Sequence, residues 1–106
     1  MRDLLTHRDA MGTPSAVLSV SDSRYALMLA AGMGKTVPVP NDAKTVLFAS
    51  TGPFWVQYGA AAVLPVTDDV SGAAPELAPA ARRLDGTTLL GLVAPSDCTV
   101  SLTFFG

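Results

Sequence analysis

The side chains that could do chemistry are few and scattered. Ala31-Gly-Met-Gly-Lys-Thr36 holds the glycine, lysine and threonine of a phosphate-binding loop. That loop also needs a glycine where Leu29 stands, and a helix after the threonine to aim backbone N–H groups at phosphate. Val37-Pro-Val-Pro40 forbids such a helix, so the segment reads as a turn and not a nucleotide site. Asp68 and Asp69, with Glu76 and Asp97, offer the hard oxygens calcium takes. They lack the EF-hand spacing and its central glycine, and solvated loop carboxylates are the ordinary reading. His7 is the only histidine and lies near the amino terminus, so a Ser–His–Asp or Cys–His arrangement would have to carry that segment to a nucleophile. Cys98 is the only cysteine, which excludes an intramolecular disulfide and a cysteine-based zinc cluster; beside a strand it reads as a buried, inert thiol. Arg82-Arg83 has two readings: surface arginines paired with Asp85 or Glu76, or a bidentate contact to a partner's carboxylates. Trp55 and Tyr58 are core aromatics or a stacking platform for sugar rings. Nothing in this spacing predicts a cleft with perturbed acids. The chain is expected to be non-enzymatic, with no catalytic, metal or cofactor residue and no cofactor.

The elements that would position these groups are short strands. Residues 1–15 read as an extended N-terminal arm, where Leu4 and Leu5 could form one helical turn before Gly12, Thr13 and Pro14 stop it. Such an arm is expected to dock on a neighbouring subunit. Residues 16–106 read as one domain. Within it, 16–20 is a strand, while 24–31 is open between a strand and a short buried helix. Residues 35–40 alternate, but their two prolines remove ladder donors and confine them to a sheet edge. Strands follow at 45–50 and 54–58, the second with Phe54, Val56 and Tyr58 on one side and Trp55 and Gln57 on the other. Residues 59–79 form a long irregular segment of the kind that is functional or docked on a partner. Residues 80–84 make one helical turn before Asp85-Gly86, a tight-turn dipeptide. The runs at 87–94 and 99–105 are expected to pair as an antiparallel hairpin. Short strands at this spacing imply an all-β fold, a single antiparallel β-sandwich or jelly-roll-like barrel.

Composition narrows the partners. The chain has 106 residues, 49% of them hydrophobic and only 15% charged, against about 25% charged in an average domain. So little charge implies apolar surface covered by another protein, and a homo-oligomer is expected. The net charge of −2 and the absence of a basic stripe argue against direct nucleic-acid binding. No run is long enough to span a bilayer, so no membrane partner is expected. The amino terminus lacks the apolar core of a secretory signal, which places the chain in a reducing cytoplasm or on an export route without a signal peptide.

From Val37 onward the chain resembles small virion proteins of tailed bacteriophages. The resemblance lies in Val37-Pro-Val-Pro40, Val46-Leu-Phe-Ala-Ser50, Phe54-Trp-Val-Gln-Tyr-Gly59, Leu64-Pro65 and Asp68-Asp-Val-Ser-Gly72. It continues through Glu76-Leu-Ala-Pro79, Arg82-Arg-Leu84, Leu92-Val-Ala-Pro95 and a last strand ending Phe104-Phe105. It covers about two-thirds of the chain and leaves 1–36 outside. The resemblance implies a virion component assembled in the host bacterial cytoplasm. It points to a capsid decoration or cement protein bridging and stabilising neighbouring capsid subunits, with a neck, tail or fibre role as the alternative. The major capsid protein or other virion proteins would be its partners. The expected interface residues are Arg2, Leu4, Leu5 and Arg8 in the arm, with Asp68, Asp69, Arg82 and Arg83 in the long segment and its exit. A carbohydrate-binding β-module built on Trp55 and Tyr58 is the reading from a different class.

Overall fold

A computed structural model describes residues 20–106, together with the backbone of two short strands nearer the amino terminus. Those two, β1 (Thr6–Arg8) and β2 (Pro14–Leu18), pair antiparallel in a small sheet of their own. The strand expected at 16–20 therefore belongs to this hairpin and not to the sandwich. Arg2, Leu4 and Leu5 lie outside the described residues, as does the side chain of Arg8.

The eight remaining strands are β3 (Ser23–Leu29), β4 (Lys35–Pro38), β5 (Thr45–Ser50), β6 (Trp55–Tyr58), β7 (Glu76–Leu77), β8 (Ala81–Arg83), β9 (Leu89–Val93) and β10 (Cys98–Phe105). They form two four-stranded antiparallel sheets, ordered β3-β10-β5-β8 and β4-β9-β6-β7, packed as a sandwich. Most consecutive strands switch sheets, and the two orders are those of an eight-stranded jelly roll built from two Greek keys. The open segment at 24–31 resolves as strand β3. The proline-bearing β4 lies at a sheet edge, as its missing donors require.

Two further expectations are corrected. The runs at 87–94 and 99–105 are not a hairpin: β9 pairs with β4 and β6, while β10 pairs with β3 and β5 in the opposite sheet. Their short link arches across the sandwich. Residues 80–84 do not make a helical turn; Ala81–Arg83 adds to the edge of β5 instead. Asp85 and Gly86 both take positive φ, and the Thr87 amide donates to the Leu84 carbonyl at 2.9 Å, so this dipeptide does form a tight turn.

The core comes from strict alternation. Cys98, Val100, Leu102 and Phe104 of β10 point between the sheets and are buried, whereas Thr99, Ser101 and Thr103 point away. Val46 and Phe48 of β5, Val56 of β6 and Leu90 and Leu92 of β9 meet them. Burying each such side chain contributes about 1.5–3 kcal/mol before entropy is charged against it. Cys98 Sγ lies in this core, 3.8 Å from the Pro53 carbonyl oxygen.

Candidate functional site

Among the described residues, the long segment between β6 and β7 carries the most strongly exposed large apolar side chains. It leaves β6 with the Gly59 amide bonded to the Leu89 carbonyl, and it returns where the Ala78 amide bonds the Phe54 carbonyl, both at 2.8 Å. Between these anchors its beginning lies flat on the outer face of the β4-β9-β6-β7 sheet. Gly91 of β9 makes that approach possible. A Cβ there would lie 2.6 Å from the Ala62 nitrogen and 2.8 Å from the Ala61 Cα, so no other residue fits without displacing the backbone. Val93 beneath this crossing and Ala62 within it are buried although they lie outside the main core. Gln57 Nε2 then donates to the Ala73 carbonyl at 3.0 Å and pins the far end.

Beyond the crossing the segment presents apolar side chains to water. Val63, Val66 and Val70 are 75%, 92% and 96% exposed, and Leu77 of β7 adds 56%. A shallow depression of ≈ 270 Å³ lies beside Val63 and Val66, lined also by Gln57, Ala61, Leu64 and Pro65 among others. Single exposed valines are unremarkable. Three on one segment, with a leucine from the strand that follows it, form the kind of surface a partner covers.

The acids and arginines named from the sequence separate into loop-builders and one clasp. Asp69 Oδ1 accepts from the Ser71 amide at 3.0 Å and from Ser71 Oγ at 2.7 Å, which folds the tip into a local turn. Those hydrogen bonds hold the Asp69 carboxyl below its usual range. Asp68 is exposed on the same tip. Asp97 Oδ1 instead accepts from the Ala31 amide at 2.8 Å, far along the chain. Among the described residues no three His, Cys, Asp or Glu side chains gather closely enough to hold a metal ion.

Arg82 and Arg83 point apart, as alternation on β8 demands. Arg82 Nη2 meets Glu76 Oε2 at 2.7 Å, and its Nε adds contacts of 3.1 and 3.2 Å. Tyr58 Oη donates to Glu76 Oε1 at 2.6 Å. This clasp joins β6 and β7 of one sheet to β8 of the other. The Arg82 guanidinium, helped by the Tyr58 hydroxyl, depresses the Glu76 carboxyl. Burial first, and then the Glu76 carboxylate, push the Tyr58 hydroxyl well above its ordinary value. The intramolecular reading of Arg82 therefore holds. Arg83 remains exposed, 3.8 Å from Asp85.

Trp55 and Tyr58 do not share a plane. Tyr58 packs against the core on the side of Val56, while Trp55 is half-buried on the opposite face of β6, across from Leu77 and Val93. The exposed valines and the Tyr58 arm of the clasp escaped the sequence reading, which had offered Glu76 or Asp85 as the partner of the arginines. The valines had a signal, being apolar residues inside a Pro- and Asp-rich loop, whereas the Tyr58 arm depends on tertiary placement.

The fold alone defines the class, a small jelly-roll sandwich, and that architecture hosts unrelated functions. Compared with protein-family models, curated proteins and solved structures, the chain matches none.

Proposed function

We propose that this protein is a non-enzymatic virion structural component, a capsid decoration or cement protein that bridges neighbouring capsid subunits. The observation that carries the reading is the exposure of Val63, Val66 and Val70 on a segment whose base is fastened to the sheet. The resemblance to small tailed-phage virion proteins runs through this same segment, at Leu64-Pro65 and Asp68-Asp-Val-Ser-Gly72. In this account the valines and Leu77 supply the apolar centre of the contact, and Asp68 and Arg83 supply its polar rim. Asp69 and Arg82 act indirectly, one shaping the tip and the other holding β8 to β7. The arm residues Arg2, Leu4, Leu5 and Arg8 would extend the contact to a second subunit. Each contact can be small, because one molecule touching several capsid subunits gains avidity. Binding to the assembled shell and not to its separated parts stabilises the shell.

Support for a non-enzymatic role comes from the shifted titratable groups. Among the described residues Tyr58, Glu76 and Arg82 satisfy one another, and the Asp69 carboxylate is taken up by Ser71. A neck, tail or fibre position would use the same surface. The sugar-binding reading loses its platform, since its two aromatics face opposite ways. Co-sedimentation with capsids lacking the protein tests the proposal. Wild type is expected to co-sediment, and a Val63→Ser, Val66→Ser, Val70→Ser triple variant that remains folded is expected to lose most of its binding. Equal binding by both would refute the role of this surface.

A further inference from the structure

The four sheet edges of the sandwich are not equally protected. On β4 the edge carries Lys35 and Pro38; β7 is two residues long; β8 is three residues long and bears Arg82 and Arg83. Charge, proline and short length are the usual means by which edges avoid pairing with another chain. The fourth edge, β3, has seven residues, no proline, no lysine and a single charge at Arg24.

The direction of the β3 backbone groups follows from β10. Thr51 N donates to the Thr99 carbonyl and Lys44 N to the Phe105 carbonyl, so the odd-numbered residues of β10 turn toward β5. The even-numbered ones then turn toward β3, in keeping with the hydrogen bond from Ser21 Oγ to the Phe104 carbonyl. Opposite them stand Ser23, Tyr25, Leu27 and Leu29. The N–H and C=O groups of Arg24, Ala26 and Met28 therefore point out of the sheet, toward an edge that no strand of the described pairing occupies.

We infer that β3 is a self-association edge: two copies of this chain pair antiparallel through β3 about a two-fold axis at Ala26. Their four-stranded sheets thereby join into one continuous sheet. The register is self-complementary. Ala26 exchanges both of its backbone hydrogen bonds with its own copy, and Arg24 exchanges its pair with Met28 of the other chain, in each direction. Arg24 faces Met28, so no like charges oppose each other. On the inner face Tyr25, 37% exposed, meets Leu27 of the second copy, an aromatic–aliphatic pair of the type that stabilises neighbouring strands. Met28, 76% exposed, lies over the aliphatic stem of Arg24 on the outer face. One strand pair covers less than a standard interface of about 800 Å² per partner, so the dimer is reversible and concentration-dependent.

The test uses the purified full chain with no particles present, so its result stands apart from the virion reading. Sedimentation equilibrium over micromolar to millimolar loading is expected to show a monomer–dimer equilibrium. Ala26→Pro removes a donor that points out of the sheet and fixes φ at a position an edge strand tolerates, and Ala26→Lys places two like charges face to face; each is expected to weaken dimerisation about tenfold or more. Met28→Glu is expected to strengthen it severalfold by setting a carboxylate opposite Arg24, although it deletes an exposed apolar side chain. A strict monomer at all concentrations would overturn the inference. So would a dimer indifferent to Ala26→Lys and Ala26→Pro, or one weakened by Met28→Glu, which would mean that a greasy patch and not this register holds it.

Discussion

The two sheets treat their outer faces differently. On the β4-β9-β6-β7 sheet the chain covers its own face, laying residues 60–62 over Gly91 and burying Val93. On the β3-β10-β5-β8 sheet the outer face stays open, with Ser101, Ala49 and Ala26 exposed near its centre. The strand sequences anticipate this. Leu89-Leu-Gly-Leu-Val93 is apolar without interruption, as a strand buried on both faces must be. Cys98-Thr-Val-Ser-Leu-Thr103 alternates, as a half-solvated strand does. The covered face obtains its cover from the same segment that exposes the valines. A loop fastened at its base can hold apolar side chains in water without collapsing onto the domain.

Substitutions that invert this asymmetry should have unequal effects. Gly91→Val is expected to cost about 3 kcal/mol, because the branched side chain would displace residues 60–62 from the sheet; urea unfolding would read it. Val93→Ser removes an apolar side chain beneath the crossing and is expected to cost about 2 kcal/mol. Its mirror on the open face, Ser101→Val, should fall within about 0.5 kcal/mol of wild type, since Ser101 is exposed. A loss at Ser101 comparable to that at Val93 would contradict the description of the two faces.

The clasp at the far edge should contribute less. Its ion pair is half-exposed, so Glu76→Gln is expected to cost about 0.5–1 kcal/mol. Its pH dependence has a definite sign. The Glu76 carboxyl is depressed in the folded state, so its contribution is present above the ordinary value of 4.5 and is lost as pH falls through the folded value. The Tyr58 hydroxyl is raised, so its contribution is present below the ordinary value of 10.0 and is lost as pH rises beyond it. Denaturation midpoints should therefore fall at both extremes in wild type. The acid-side fall should be shallower in Glu76→Gln.

Much of the framework was legible because local chemistry and tertiary role agree. The strand at 45–50 matches its expected bounds, and β4 takes the edge that Pro38 dictates. Misreadings arose where one local pattern fits two tertiary uses. Two apolar runs joined by Pro95-Ser-Asp-Cys98 suit a hairpin, with strands about 4.8 Å apart, and equally an arch between sheets about 10 Å apart. The uninterrupted apolarity of β9 was the cue that favoured the arch. Residues 80–84 have good helix formers, but pairing with β5 overrides that propensity. The Arg82–Glu76 pairing was one of two readings of the arginines, but the Tyr58 arm of the clasp was invisible because Tyr58 lies far from Glu76 in sequence and meets it only through the β6–β7 pairing.

Hydrogen–deuterium exchange, with and without capsid shells lacking the protein, tests the central proposal most directly. The account predicts strong added protection across residues 63–77 on binding, with little change in the already protected strands β9 and β10. Tight binding to the shell that leaves the exchange of residues 63–77 unaltered would contradict it.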